Sequence, residues 1–479
     1  MTGFTGRRRE LASLERALAA IAAGPAEPTG PTGPAHRGRC LIIRGRRRIG
    51  KSALVEEFLR RSGVPHVYFT AHIGDDASTI EEFGHAVSQS GFPEAAVFAE
   101  ARPGNWTAAL RQLAGIVPDG RPSVVVFDEV PYLMDSEGTF ESILQRAWDR
   151  ELSRKPVLLV LIGSDLSMMS RLTAYGRPFH QRGTDMVIGA LNPADVAELT
   201  GLEPAPALDA ALVTGGLPIL CSRWRPGEEL WSFLRRELAD PVSALLVSAQ
   251  LSLAAEFPEH AAPRNVLGAI GSGERSFTNI ARAAGGIAHS TLSRSADVLI
   301  EKGIVAAELP LGLRPSKDRR YRIADPYLRF WLSFIGPHLE EIDRMRSDLT
   351  IARIRRGWTS WRGRAIEPVV RESLARMLPA GGIDAAPAVG ACWTRSNDVE
   401  IDIVGADRAP VAGELLFLGS IKWHDGSPFD DHDLAALQRQ RSWLTDRPVP
   451  LVAVSRAGSR ARHLDACFGA AEVVGAWRG

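Results

Sequence analysis

The sequence predicts an α/β protein built on a parallel sheet, and three observations carry that prediction. The first is the apolar run Cys40-Leu41-Ile42-Ile43, which leads into Gly45-Arg46-Arg47-Arg48-Ile49-Gly50-Lys51-Ser52 and then the helix-like stretch Ala53 to Leu59. The second is Ser123-Val124-Val125-Val126-Phe127-Asp128-Glu129, an apolar strand pattern ending in two acids. The third is the continued alternation: apolar runs at His66 to Thr70 and Val157 to Ile162, with helical material around Ile80 to Ser88 and Trp106 to Ile116. Short apolar runs separated by helices are the pattern of parallel strands covered on both faces.

The glycine-bracketed stretch fits G-x-x-x-x-G-K-[ST] at every fixed position and has the strand–loop–helix context that the motif requires. Its glycines let the backbone turn tightly and aim successive N–H groups at phosphate oxygens, and the following helix adds its positive end. Residues Gly45 to Ser52 are therefore expected to cradle phosphates, with Lys51 reaching the β and γ groups and Ser52 placing its hydroxyl on Mg²⁺. On the acidic strand, Asp128 would hold the Mg²⁺ hydration shell and Glu129 would orient or activate the attacking water. Alone, such acids serve equally well as a helix cap after a core strand; the pairing with Lys51 favours the chemistry. Ser164, just past the apolar run, is placed to sense the γ-phosphate from an adjacent strand. Arg177, with Arg171 and Arg182 nearby, either supplies positive charge to the transferring phosphoryl group or is a solvated loop arginine.

Length and composition bound the rest. The 479 residues suggest about three domains. A net charge of +1 gives no global sign of a nucleic-acid or membrane partner, so any basic surface must be local. Only five of the 57 basic residues are lysines, at 51, 155, 302, 317 and 422, so a lysine at a chemically apt position is informative. Cysteines 40, 221, 392 and 467 lack metal-ligand spacing and predict no disulfide, as in a reducing cytosol. No apolar signal core follows the charges at Arg7 to Glu10, and the longest strongly apolar run is too short to cross a bilayer. The expectation is a cytoplasmic protein with no membrane partner.

At the start of the chain, Leu11, Leu14, Leu18 and Ile21 mark one face of an opening helix, and a proline- and glycine-rich linker is expected over 24–38. Further on, three short helices (264–270, 278–284, 290–301) and two strands (304–309, 319–323) form a winged-helix pattern, whose wing tip runs from Gly312 to Asp318. In that pattern His289, Ser290, Thr291 and Arg294 would face a major groove of duplex DNA, while Arg314, Lys317, Arg319 and Arg320 would contact phosphates. The alternative is a protein-contact or lid module, since the third helix is poor in basic residues.

Phe4-Thr5-Gly6-Arg7 with Glu10-Leu11, the phosphate loop, Phe127-Asp128-Glu129, Gly163-Ser164, Tyr175-Gly176-Arg177 and Gly215-Gly216-Leu217-Pro218 together resemble the archaeal-type ATPase family, a group of AAA-related, signal-transducing P-loop ATPases. The resemblance covers roughly residues 3 to 260. It implies ATP and Mg²⁺ as ligands, a nucleotide site between the sheet and a following helical lid, and a nucleotide role for Arg177. The junction Tyr321 to Trp331 resembles the start of the family's C-terminal domain, which is similar to restriction endonucleases in fold.

The implied architecture is a P-loop parallel-sheet core (1–195), a helical lid (196–262), a winged helix (263–325) and an α/β endonuclease-like domain (326–479). Nuclease chemistry needs an acid ending one strand and acid-x-Lys on the next, because a period of two puts both side chains on one face. Asp402 and Lys422 are in place, with Glu367 on the preceding helix, but Ser420 stands where the second acid belongs. A degenerate nuclease fold is expected, in which Asp402 and Lys422 form either an internal ion pair or a nucleic-acid-binding remnant. Three functions follow: an ATP-driven switch with an unidentified protein partner, a DNA-binding regulator whose affinity ATP sets, or an ATP-coupled nuclease.

Overall fold

Five parallel strands form the sheet of the first of two compact units, residues 1–190. The computed structural model describes residues 4–23, 38–134, 139–177, 179–256, 262–396 and 398–478; except for Gly38, the expected linker lies outside them. The strands are β1 (Arg39–Arg44), β2 (His66–Thr70), β3 (Ser123–Asp128), β4 (Val157–Gly163) and β5 (Gly183–Val187), in the order β2-β3-β4-β1-β5. Every residue of β3 and β4 is buried, as their unbroken Val, Leu and Ile runs require. β5 is an edge strand pairing only with β1, and its residues are half-buried or exposed. Its sequence, Gly-Thr-Asp-Met-Val, has no apolar run, so only pairing with β1 defines it as a strand.

Helices cover the sheet for local reasons. Arg8–Ala22 buries Leu11, Leu14, Leu18 and Ile21 along the predicted face. Asp76–Ser88 and Trp106–Ile116 start on Asp75 and Asn105, whose side chains accept from the amides of Ser78 and Ala108 at 2.9 Å each. Phe69, Phe83, Trp106, Phe127 and Phe140 interlock beneath, with Phe83 stacked on Phe127 at 5.5 Å. Burying each such side chain stabilises the unit by about 1.5–3 kcal/mol.

The second unit, residues 191–479, opens with helices including Pro193–Thr200, Pro204–Thr214, Leu230–Ala239 and Ala244–Glu256. Helices Ala262–Gly271, Phe277–Ala283 and His289–Glu301 follow, then an antiparallel pair, β6 (Val305–Glu308) and β7 (Arg320–Ile323). This is the winged-helix arrangement that the sequence predicts. The connection between β6 and β7 does not stand clear: the Leu311 amide donates to Ala391 O at 2.8 Å, and the Ala412 amide donates to Gly312 O at 2.9 Å.

After the long helix Ser347–Met377 come β8 (Ala388–Trp393), β9 (Glu400–Ala406), β10 (Leu415–Lys422), helix Asp431–Leu444, β11 (Leu451–Ser455) and β12 (Ala466–Phe468). Their order is β12-β11-β10-β9-β8, antiparallel across β8, β9 and β10 and parallel from β10 to β12. A helix, three antiparallel strands, a second helix and a parallel strand form the endonuclease-like order. Within this unit Asp209, on Pro204–Thr214, sits 2.9 Å from Arg456 and 3.3 Å from Arg362, and Asp425 pairs with the same two arginines at 2.6 and 2.9 Å. No described helix is long and apolar enough to cross a membrane.

Candidate active site

The carboxyl ends of β1, β3 and β4 lie side by side, and parallel sheets bind ligands at that edge. β1 runs into the phosphate loop, and helix Lys51–Ser62 starts at its end, anchored by buried Leu54, Val55, Phe58 and Leu59. Gly50 adopts φ 89°, which favours glycine, and a Cβ on Gly45 would lie 2.5 Å from Ile188 O. The two glycines of the motif are thus fixed by backbone geometry. Lys51 is buried, and its ammonium donates to Gly45 O at 2.9 Å and Arg46 O at 3.0 Å. Burial lowers its pKa, while the charges of Glu129 and Asp128 oppose that shift.

Asp128 ends β3 and is buried. Its Oδ2 accepts from Ser52 Oγ at 2.6 Å and from Tyr68 Oη at 2.7 Å, and its Oδ1 accepts from the Glu129 amide at 2.8 Å. Burial, and next the Asp128 charge, push the Tyr68 hydroxyl well above its usual pKa, so it stays a donor. Glu129 leaves the strand at φ 54°, a strained left-handed turn for a non-glycine residue. Its Oε2 accepts from Ser164 Oγ at 2.9 Å. Because β4 lies between β1 and β3 in the sheet, Ser164 is carried to the acids, in line with the adjacent-strand placement expected of it.

The hydroxyl of Ser52 beside the carboxylate of Asp128 is a hard oxygen pair of the kind Mg²⁺ prefers, and a buried ammonium held, among the described residues, by loop carbonyls suits a phosphate. These residues fit the magnesium nucleotide that the motif implies.

Two contributors escaped the sequence reading. Tyr68 reaches Asp128 from β2, a role with no local signal. Arg7, buried at φ 59°, donates from Nη2 to Ile49 O at 3.0 Å and Gly189 O at 2.6 Å, tying the phosphate loop to the segment after β5. Its position in Phe4-Thr5-Gly6-Arg7 marks it, but its long-range partners cannot be read from spacing. Arg47 Nη2 donates to Tyr132 Oη at 3.3 Å. Arg177 instead meets buried Glu141 at 2.6 Å, and among the described residues it makes no bond to Lys51, Asp128 or Glu129.

In the second unit, Ser290, Arg294, Arg314, Lys317 and Arg319 are exposed and Thr291 is half-buried. Arg320 is engaged internally, 2.5 Å from Glu400 and 4.5 Å over the Trp393 ring. Of the two roles open to Asp402 and Lys422, the ion pair between them does not form among the described residues. Lys422 pairs with Asp433 at the start of Asp431–Leu444, whereas Asp402 accepts from Ser420 Oγ at 3.0 Å and the Ile421 amide at 2.9 Å. The capping acid lies within reach of the lysine, and the serine and an amide already satisfy Asp402. Glu367 lies 3.6 Å from Arg371, whose Nη1 donates to Asp402 O at 3.1 Å.

A family model described as archaea bacterial proteins of unknown function (DUF234) matches residues 331–436. An uncharacterized protein of Methanocaldococcus jannaschii is 25% identical over 407 residues, covering 83% of this chain and 85% of that protein. A Walker-type ATPase of Pyrococcus abyssi superposes with a TM-score of 0.50 at 18% identity, covering 69% of this chain and 96% of that one. That likeness establishes the fold.

Proposed function

We propose that this chain, whose fold is that of a Walker-type ATPase and whose residues 331–436 match DUF234, binds and hydrolyses ATP as a switch. The carrying observation is the convergence of Lys51, Ser52, Asp128, Glu129 and Ser164 at one sheet edge. Loop amides and Lys51 bind the phosphates, the ammonium exchanging its loop carbonyls for β- and γ-oxygens. Ser52 and Asp128 would hold Mg²⁺, which when bound neutralises phosphate charge. Glu129 orients a water and takes its proton on a carboxylate oxygen. Ser164, bonded to that carboxylate, links the acid to the strand beside the loop, so loss of the γ-phosphate is felt there. The winged helix and the C-terminal domain read out the state for a protein partner. Arg177 is assigned a charge-stabilising role, which requires it to leave Glu141.

Equilibrium titration with a fluorescent ATP analogue tests this reading. Lys51→Ala is expected to weaken binding about a hundredfold, by loss of charge-assisted bonds to two phosphates. Equal affinity in both chains would sink it.

The exposed face carrying Ser290, Thr291 and Arg294, with Arg314, Lys317 and Arg319 along the wing connection, favours duplex DNA as a second partner. Three cations on phosphates, Arg314, Lys317 and Arg319, predict that log affinity falls with log salt at a slope of about −2.7. Binding that ignores salt would remove this reading. Ser420 in place of an acid, and Lys422 held by Asp433, argue against cleavage.

A further inference from the structure

The wing strands, helix Pro326–Phe330, the long helix Ser347–Met377 and β9 enclose a cleft in the second unit that is rich in arginine. Most of its charges are matched. Glu400 takes Arg320 at 2.5 Å and Arg275 at 3.5 Å, and Glu308 takes Arg322 at 2.5 Å and Arg371 at 3.6 Å. Two guanidiniums have, among the described residues, no carboxylate bonded to them, though the charge of Glu367 lies near Arg329. Among the described residues the Arg329 side chain makes no hydrogen bond or ion pair, and Arg364 bonds only Ser360 Oγ on its own helix, at 3.3 Å. Burial lowers the pKa of Arg329 to about 10, so it stays charged at neutral pH.

The position is where an endonuclease-like fold would carry its metal, with Glu367 and Asp402 on the cleft wall. A cation is disfavoured there: six guanidiniums face four carboxylates, Asp402 already accepts two hydrogen bonds, and Ser420 brings no charge. An anion is favoured. The interior, about 30 Å³, has room for about one water, so a phosphate head would sit at the open mouth of the cleft, beside exposed Arg364. Paired guanidinium forks match phosphate oxygens in geometry as well as charge.

We propose that this cleft binds a phosphate monoester without a metal ion, Arg329 contacting it from the inside and Arg364 from the rim. The site has exchanged cation-dependent chemistry for anion recognition. The phosphate would belong either to a free mononucleotide or to a nucleic-acid 5′ end.

The test uses the full chain carrying Lys51→Ala, which weakens binding at the phosphate loop, in EDTA. Inorganic phosphate, AMP, and a 5′-phosphorylated and a 5′-hydroxyl oligonucleotide are titrated by calorimetry. Saturable phosphate binding is expected, weakened about tenfold by Arg329→Gln, partly restored by Arg329→Lys, and weakened severalfold by Arg364→Ala. Tighter binding of AMP than of phosphate points to the free nucleotide, and preference for the 5′-phosphorylated oligonucleotide points to the nucleic-acid end. No saturable binding in EDTA, or affinity unchanged by both Arg329→Gln and Arg364→Ala, overturns the proposal. Should Arg329→Gln fail to fold, exposed Arg364 carries the test, and unchanged affinity in Arg364→Ala is then decisive. ATP turnover in Arg364→Ala with Lys51 intact reports separately on the switch.

Discussion

Glu129→Gln is expected to lower ATP turnover about a thousandfold while leaving ATP affinity within a few fold of the native value. The side chain accepts from Ser164 Oγ at 2.9 Å, whereas Lys51 donates to Gly45 O and Arg46 O. An amide of the same shape keeps a hydrogen-bonding oxygen toward Ser164 but cannot take a proton from water at neutral pH. Binding and chemistry should therefore separate: Lys51→Ala removes affinity, and Glu129→Gln removes turnover. The measurement is steady-state phosphate release beside nucleotide binding on the same preparations, with and without duplex DNA. Native turnover in Glu129→Gln would mean that another group activates the water, or that the native rate comes from a contaminant. Stimulation by DNA that vanishes in the variant would join the ATPase and DNA readings.

Asp209→Ala is expected to destabilise the second unit by about 3–5 kcal/mol, because it leaves buried guanidinium charge without its closest buried carboxylate. Arg362 is only 1% exposed, while Asp425, its other partner, is largely solvent-facing. Arg362 also donates to Trp423 O at 3.3 Å, and its Nε has no partner among the described residues. The site is thus satisfied only while Asp209 is present. Urea unfolding followed by the tryptophans of this unit, among them Trp358 and Trp423, reads the loss. A change below about 1 kcal/mol would place the cluster with exposed pairs. ATP affinity in the same variant shows whether damage stays local. The network ties Pro204–Thr214, Ser347–Met377 and the segment after β11 together.

Lys51 and Ser52, Asp128 and Glu129, and the winged-helix helices were legible in the sequence because their signals are local. A phosphate loop is contiguous, its glycines answer to backbone angles, and a strand buried on both faces must be apolar throughout. The endonuclease-like order was legible through Asp402, Lys422 and the helix before them, and the missing acid at Ser420 was visible as a departure. What was not legible depends on pairing across distance. β5 is polar and exposed, so only its ladder with β1 makes it a strand. Tyr68 becomes a partner of Asp128 because β2 lies beside β3. Arg7 meets Ile49 and Gly189 only once the sheet is assembled. An ion pair with Asp402 was one of two roles open to Lys422, but Lys422 pairs with Asp433 at the start of Asp431–Leu444.

The sequence by itself determined the phosphate-loop motif and the acidic end of β3, since residue types and spacing there are contiguous and local. Only the tertiary structure decided which charges are spent on one another and which remain for a ligand. Arg177 is engaged by Glu141 and Arg320 by Glu400, while among the described residues the Arg329 side chain has no bonded partner and only the nearby charge of Glu367. A guanidinium's reach is long and its partners are set by three-dimensional packing, so fifty-two arginines on a chain reveal their roles only when folded.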